Sequence, residues 1–232
     1  MKGSSRFLGP AQLESAPDVL TMNIVLTKFL TTVSIKENKL IASPLTIADV
    51  LEGAAVKPLF PIERMTEYFG VINYATNERV LNTLKHFTKK FPTGSLYLLI
   101  TSAGGPSGTA MSFYDTVRSM IRPTLTTIGS GDVDSSALIV FLTGEKRFVT
   151  KHTTSLLHRA GRVFEDGKRL TIKEMDAILR EDSLKDEQYA SIVAERSGGK
   201  LTKEKVLELM EACTTLTPKE LVAYGLADAI LD

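Results

Sequence analysis

The stretch that most constrains the fold is residues 96–108, an apolar run that ends in a glycine pair. Residues 96–100 are continuously apolar, are too short for a core helix and lie between Gly94 and Gly104. They therefore predict a strand covered on both faces of a parallel sheet. The adjacent Gly104 and Gly105 let the chain turn without Cβ clashes and bring N–H groups close to a bound anion. The same turn also fits a strand-to-helix connection that binds nothing.

Composition excludes several classes of protein. The 232 residues are 43% hydrophobic and 24% charged with a formal net charge of +1, so nothing indicates a nucleic-acid-binding face. The single Cys213 excludes an internal disulfide framework and a multi-cysteine metal site. The amino terminus lacks the apolar core of a secretory signal, and the most apolar stretch, 137–142, is far shorter than the ~20 residues of a membrane span. We expect a cytoplasmic protein without nucleic-acid or membrane partners.

The sequence pattern of residues 1–63 differs from that of the rest of the chain. These residues are predicted to form a helical amino-terminal extension, and residues 64–232 the main domain. Apolar residues from Val19 to Val33 recur at helical spacing, and Asp18 is placed to start that helix. A second helix is predicted from Pro44 to Glu52, with Ser43 as its N-cap. The apolar stripe of the extension fits packing on the main domain or docking on a neighbouring subunit.

Strand and helix patterns alternate after the extension. The patterns predict strands at 68–72 and 124–128, on either side in the sequence of the strand at 96–100. They also predict a helix capped by Asn77 and another over 110–121. This alternation is typical of an α/β fold with right-handed crossovers and a mainly parallel sheet.

A second glycine-containing turn joins a strand to an apolar helix at residues 129–142. It places Ser135 and Ser136 at the start of the helix, where backbone N–H groups point outward and favour a developing negative charge. Either serine also fits a simple N-cap. His158 ends a short strand predicted at 155–158 and is a candidate general base, although lone histidines are more often structural or surface residues.

The last third of the chain is mostly helical. Thr171 and Glu174 form a capping-box pattern that opens a helix reaching Arg196, about 35 Å long at 1.5 Å per residue, which is predicted to project from the domain. A helix at 203–211, a second capping box at Thr217 and Glu220, and a final strand at 226–231 follow.

Four segments, taken together, resemble the proteolytic subunit of the Clp protease, the ClpP family of serine peptidases within the ClpP/crotonase fold. The resemblance covers about residues 66–232. The matching segments are the glycine turn at 100–105, Gly-Asp-Val-Asp-Ser at 131–135, Leu-Leu-His at 156–158 and the carboxyl-terminal signature at 217–228. Each motif is weak alone, but their order and spacing are specific.

The resemblance implies an α/β sheet of repeated β-β-α and βαβ units with the long helix as a projecting handle. It also implies a serine endopeptidase without a metal or cofactor, which hydrolyses unfolded polypeptides through an acyl-enzyme inside a chamber of homo-oligomeric rings. By this match Ser135 is the nucleophile, His158 the general base, and the N–H groups of Gly105 and Ser136 the oxyanion hole. An ATP-dependent unfoldase would be a separate partner, because the chain has no Gly-x-x-x-x-Gly-Lys-Ser/Thr motif.

This sequence departs from the family in three places. Cys213 stands where the family's third triad residue is an aspartate, and Glu211 is the alternative carboxylate if the alignment slips. Asp132 and Asp134 flank the nucleophile motif, where negative charge opposes an oxyanion unless it points away. The first 63 residues do not match the family's short amino-terminal loops.

These departures leave two other hypotheses open. One is a degenerate ClpP-like subunit, inactive or weakly active, with an assembly or binding role. The other is a crotonase-like acyl-CoA enzyme that shares the fold and the oxyanion turn but not the serine and histidine.

Overall fold

The computed structural model describes residues 59–164 and 166–231, together with three strands within residues 21–44. The chain divides into two units, Met1–Leu59 and Phe60–Asp232. The second unit carries all the residues singled out above as candidates for catalysis.

The first unit contains strands where the sequence predicts a helix. Strands β1 (Thr21–Leu26), β2 (Phe29–Lys36) and β3 (Lys39–Pro44) form an antiparallel sheet in that order. The helix predicted over 18–33 is therefore wrong. Half of the residues in β1 and in β2 are Thr, Val or Ile, whose branched Cβ atoms favour strands over helices. The helix predicted to follow Ser43 falls on residues 45–52, outside the described residues, and Pro44 itself ends β3.

The second unit is built on a five-stranded sheet in which every neighbouring pair is parallel. Its strands, in chain order, are β4 (Met65–Phe69), β5 (Leu96–Ser102), β6 (Leu125–Val133) and β7 (Lys146–Thr150), with β10 (Ala229–Leu231) last along the chain. Their spatial order is β10-β7-β6-β5-β4, which confirms the mainly parallel α/β sheet. A separate antiparallel pair is formed by β8 (Ser155–Leu157) and β9 (Thr214–Leu216).

Helices connect these strands. They are α1 (Tyr74–Lys90), α2 (Ser107–Asp115), α3 (Ala137–Phe141), α4 (Ile172–Arg196), α5 (Lys203–Glu211) and α6 (Pro218–Ala223). A π-helical turn, Thr116–Ile121, follows α2, and a 3₁₀ turn, Ile62–Arg64, precedes β4. Both predicted capping boxes are confirmed at the starts of α4 and α6.

The core lies against one face of β5 and around α3. Leu96, Leu98 and Ile100 of β5 are buried, whereas the alternate residues are half-buried, so burial on the second face is weaker than the sequence predicts. Every residue of α3 is buried. The short α3 is thus fixed by packing, and the turn before it is fixed with it.

The N-cap of α1 is Asn73, not the predicted Asn77. Asn77 lies inside the helix, where its side-chain oxygen accepts from the Tyr68 hydroxyl and its amide donates to the Thr109 carbonyl at 2.8 Å. A buried amide that finds partners on two other elements stabilises their packing, which no local pattern reveals.

The amino-terminal half of α4 exposes apolar side chains. They are Ile172, Met175, Leu179 and Leu184. The buried residues of this helix all lie in its second half, from Asp186 to Val193. Within the described part of the chain, no helix combines the length and the apolarity needed to cross a lipid bilayer.

Candidate active site

Ser135 occupies a strained turn between β6 and α3. Its φ of +54° is in the left-handed region, which residues other than glycine seldom adopt. Its N–H donates to the Leu156 carbonyl at 2.7 Å, and its carbonyl accepts from the buried Tyr189 hydroxyl at 3.1 Å. Main-chain and side-chain hydrogen bonds therefore hold both peptide groups of a residue whose side chain remains partly exposed.

The glycine turn after β5 lies directly against this serine. Gly104 has a φ of +99°, and a Cβ there would lie 2.8 Å from the Ser135 Cβ. A Cβ on Gly105 would collide with the carbonyl oxygen of Ile72. Glycine is thus needed at both positions because another chain segment occupies the space of a side chain.

Two hydrogen bonds orient the peptide groups of this turn. The Gly104 carbonyl accepts from the Ile72 N–H at 2.9 Å, so the N–H of Gly105, in the same trans peptide, points away from Ile72. The Ser136 hydroxyl donates to the Gly105 carbonyl at 2.9 Å and joins the two turns. Among the described residues, neither the Gly105 nor the Ser136 N–H has an acceptor. Two N–H groups are therefore left available beside Ser135.

His158 follows β8 and is half-buried. Its Nδ1 lies 2.7 Å from the main-chain carbonyl oxygen of Arg159. A carbonyl oxygen can only accept, so Nδ1 carries the proton and Nε2 of the neutral ring has the free lone pair. That tautomer is the one a general base needs when Nε2 takes a proton.

Ser135, His158 and Gly105 line one cleft of about 310 Å³. The other lining residues used below are Arg159, Ala160, Arg162, Asp186 and Tyr189. The structure thus brings together groups that are 30 and 23 positions from Ser135 in the chain. In the described part of the molecule, no hydrogen bond joins the Ser135 hydroxyl to His158.

Arginines on the His158 side of the cleft are paired with carboxylates. Arg159 contacts Asp186 at 3.4 Å and Glu211 at 2.9 Å. Arg162 donates to Asp182 and Glu181 at distances of 2.6–3.1 Å. Hydrogen bonds from Lys185 and Arg162 lower the pKa of Glu181 to about 2. These pairs connect the chain after His158 to α4 and to the end of α5.

Neither candidate for a third triad residue makes a hydrogen bond or ion pair with His158 among the described residues. Cys213 is exposed, has a φ of +49° and does not line the cleft. Glu211 binds the Arg159 guanidinium instead of the imidazole. The group that does contact Nδ1, a main-chain carbonyl, has no signature in the sequence.

Neither of the two aspartates near Ser135 is among the residues that line the cleft. The Asp134 carboxylate accepts from the Leu156 N–H at 2.7 Å, and Asp132 is exposed beside Thr154. The pKa of Asp134 is raised above its ordinary value, mainly because the carboxylate is partly buried, and the nearby Asp132 charge adds to this rise. The hydrogen bond from the Leu156 N–H and the proximity of His158 oppose it. The predicted opposition to an oxyanion is therefore weakened by where these side chains lie.

Asp186 and Tyr189, both on α4, were not predicted from the sequence as site residues. Each is nearly buried, at 8% and 5% exposure, and each binds a main-chain group of the cleft. Their spacing along a charged helix is ordinary, so no local signal identifies them. Within the described ranges, no group of three or more His, Cys, Asp or Glu side chains is arranged to hold a metal ion.

Comparisons with known proteins agree with this architecture. Residues 59–232 match the family model described as Clp protease. A proteolytic subunit of the ATP-dependent Clp protease from Dehalococcoides mccartyi is 26% identical over 171 residues, which is 73% of this chain and 82% of that protein. Proteolytic subunit 2 of the ATP-dependent Clp protease from Treponema denticola is 27% identical over 163 residues, which is 69% of this chain and 78% of that protein.

A solved structure shows the same fold. A ClpP1 mutant from Listeria monocytogenes superimposes with a TM-score of 0.64 at 22% sequence identity, and the match covers 73% of this chain and 91% of that one. The family model spans three quarters of the chain, including both turns of the cleft, β8 and the long α4. This chain therefore belongs to the Clp protease family.

Proposed function

We propose that this chain is a serine peptidase that cleaves unfolded polypeptides through an acyl-enzyme on Ser135. The observation that carries the proposal is the convergence of Ser135, the His158 imidazole and two N–H groups without acceptors on one cleft. Membership of the Clp protease family supports it and argues against the acyl-CoA alternative.

In the first step His158 Nε2 takes the hydroxyl proton of Ser135 while Oγ bonds to the substrate carbonyl carbon. The carbonyl oxygen becomes an oxyanion, for which the Gly105 and Ser136 N–H groups are the available donors. The oxyanion then collapses, the C–N bond breaks, and the imidazolium gives its proton to the leaving amine. Water, deprotonated by His158, releases the acyl group and regenerates the Ser135 hydroxyl.

The rigidity of the two turns suits this role. Donors that are already oriented cost no reorganisation when the oxyanion forms, and removal of one donor typically costs about 10²–10³-fold in rate. Here the trans peptide fixed by Ile72 orients the Gly105 N–H, and the Ser136 hydroxyl holds Gly105 beside Ser136. The two donors are thus linked to each other and to the nucleophile by short hydrogen bonds and adjacent peptide groups.

The exposed apolar half of α4 supports assembly into rings that pair through this helix. Ile172 and Leu179 are 73% and 65% exposed, and burial of such side chains against a second copy would favour association. The curated relatives are named ATP-dependent, and we propose that an ATP-driven unfoldase partner delivers polypeptide to this chain as well.

Two points favour the second candidate, a degenerate subunit with an assembly or binding role. Among the described residues, no hydrogen bond joins the Ser135 hydroxyl to His158. The family resemblance also puts Cys213 at the position of the triad aspartate, and a thiol is not a carboxylate. Catalytic hydrogen bonds are often long before substrate binds, so this geometry alone does not remove the peptidase. A chemical test separates the two.

The test is labelling of the folded, assembled protein by a fluorophosphonate, which reacts only with an activated serine. We expect stoichiometric labelling at Ser135, its loss in Ser135→Ala and a strong decrease in His158→Gln. The exposed Ser112 on α2 provides the matched control, because Ser112→Ala removes a hydroxyl outside the cleft and should leave labelling unchanged.

Failure to label an assembled sample would refute the peptidase and favour the degenerate subunit. Hydrolysis of small peptide esters that disappears in His158→Gln would instead refute the degenerate subunit.

A further inference from the structure

The peptide group between Arg159 and Ala160 is hydrogen-bonded on both edges. Its carbonyl oxygen lies 2.7 Å from Nδ1 of His158, and its N–H donates to Asp186 Oδ1 at 2.9 Å. The two contacts point in opposite directions, as a trans peptide requires. A carboxylate and the imidazole are thus connected through a single planar, polarisable group.

We propose that Asp186 serves as the third member of the catalytic group and acts on His158 through this peptide. Asp186 is a positioning residue in this scheme because it does not touch the imidazole. The inference rests on the serine-peptidase function proposed above, since it assigns the group that orients the base of that reaction.

The chemistry of the relay follows from the direction of its hydrogen bonds. A negative carboxylate that accepts from the Ala160 N–H shifts electron density toward the Arg159 carbonyl oxygen, because hydrogen bonds in a chain polarise one another. That oxygen then accepts more strongly from Nδ1–H and stabilises the imidazolium that forms during acylation. A triad aspartate makes the same two contributions by direct contact.

The surroundings of Asp186 fit this role better than those of the alternatives. Asp186 is 8% exposed, and its second oxygen contacts the Arg159 guanidinium at 3.4 Å, so the carboxylate is held from two sides. The side chain of Glu211 is 73% exposed, and its hydrogen-bond partner within the described part of the chain is the Arg159 guanidinium. Cys213 is exposed and lies outside the cleft lining.

The test compares Asp186→Asn, Asp186→Ala and Cys213→Asp in the assembled protein. Asparagine keeps an acceptor for the Ala160 N–H but removes the charge, so the rate constant of fluorophosphonate labelling should fall about 10-fold, and alanine should lower it about 100-fold. Both losses are smaller than the ~10⁴-fold effect of disabling a directly bound triad aspartate. Cys213→Asp should change the rate by less than about threefold, because His158 already has its partner.

The second readout is the tautomer of His158 in ¹⁵N-histidine-labelled protein. The chain has only three histidines, and the signal is assigned by its loss in His158→Gln. We expect Nδ1 to carry the proton in the parent protein and the Nε2-protonated form to grow in Asp186→Ala. Glu187→Gln is the matched control: Glu187 adjoins Asp186 on α4 but pairs with Lys203, so neither labelling nor tautomer should change.

An unchanged tautomer in Asp186→Ala, or a gain of more than about threefold in Cys213→Asp, would overturn the relay. The two readouts also separate this inference from the proposed function. If the parent protein is never labelled, the peptidase fails, while the ring signal still decides whether Asp186 sets the tautomer of His158.

Discussion

The two sides of the cleft are held by different forces. On the serine side, short main-chain hydrogen bonds and close packing hold Ser135 and Gly104, with contacts to Leu156 and Ile72. On the histidine side, the chain after His158 is half-exposed to exposed and is held largely by ion pairs to α4 and α5. Buried hydrogen bonds resist salt, whereas exposed ion pairs are screened by it. The two sides should therefore respond to different perturbations.

The largest effect is expected from Gly104→Ala on the serine side. The new Cβ would lie 2.8 Å from the Ser135 Cβ on a backbone with φ of +99°, so the nucleophile must move. We expect fluorophosphonate labelling to slow by about 10²–10³-fold, as when an oxyanion donor is lost. Gly108→Ala is the control, because nothing lies within 4 Å of the added atom. If Gly104→Ala were labelled at the parent rate, Ser135 would have to tolerate the new Cβ without losing its reactivity, which would contradict a rigid serine side.

A smaller effect is expected from salt and from Glu211→Gln on the histidine side. The Arg159–Glu211 pair has side chains 41% and 73% exposed, so about 1 M NaCl should screen it and slow labelling a few-fold. Glu211→Gln should give a similar decrease at low salt and reduce the salt dependence, since this exposed pair is gone while Asp186 still holds the 159–160 peptide. Salt dependence that is the same in the variant and the parent would assign the effect to another part of the molecule.

The smallest effect is a pair of pH dependences with opposite signs. Burial raises the pKa of Asp134, so its stabilising contribution is present below the ordinary aspartate pKa and is lost as pH rises through the raised value. The pKa of Glu181 is lowered to about 2, so its contribution is present above its ordinary value and is lost as pH falls toward 2. Asp134→Asn should therefore stabilise more at pH 6 than at pH 3, and Glu181→Gln should destabilise more at pH 6 than at pH 3.

Urea unfolding at about pH 3, 4.5 and 6 measures both differences against the parent protein. Asparagine still accepts from the Leu156 N–H, so Asp134→Asn isolates the charge. Equal signs for the two variants would contradict the contrast between a carboxylate penalised by burial and one stabilised by cations.

Local sequence signals predicted much of the fold because their causes are local. The capping boxes at Thr171 and Thr217 require only residues three apart, and both are present in the structure. The glycine turn after β5 follows from the steric freedom of Gly104. The helix predicted over 18–33 is wrong because the β-branched content of β1 and β2 favours strands despite the helical spacing of their apolar residues.

Contacts that depend on residues distant in the chain could not be predicted in the same way. Asn77 looks like a cap in the sequence, but its buried amide binds Tyr68 and Thr109 from two other elements. The sequence predicts a side-chain partner for His158 at Cys213 or Glu211, whereas in the structure its Nδ1 binds the main-chain carbonyl of Arg159. A main-chain acceptor leaves no trace in residue identity.

The family resemblance, the alternation of strands and helices, and the candidate roles of Ser135 and His158 can be predicted from the sequence, because they depend on residue types at short spacing. The close approach of Gly104 to Ser135, and the 2.9 Å hydrogen bond from the Ala160 N–H to Asp186 across a 26-residue separation, appear only in the folded chain. Packing and hydrogen bonding between remote segments depend on the path of the whole chain, which no single segment encodes.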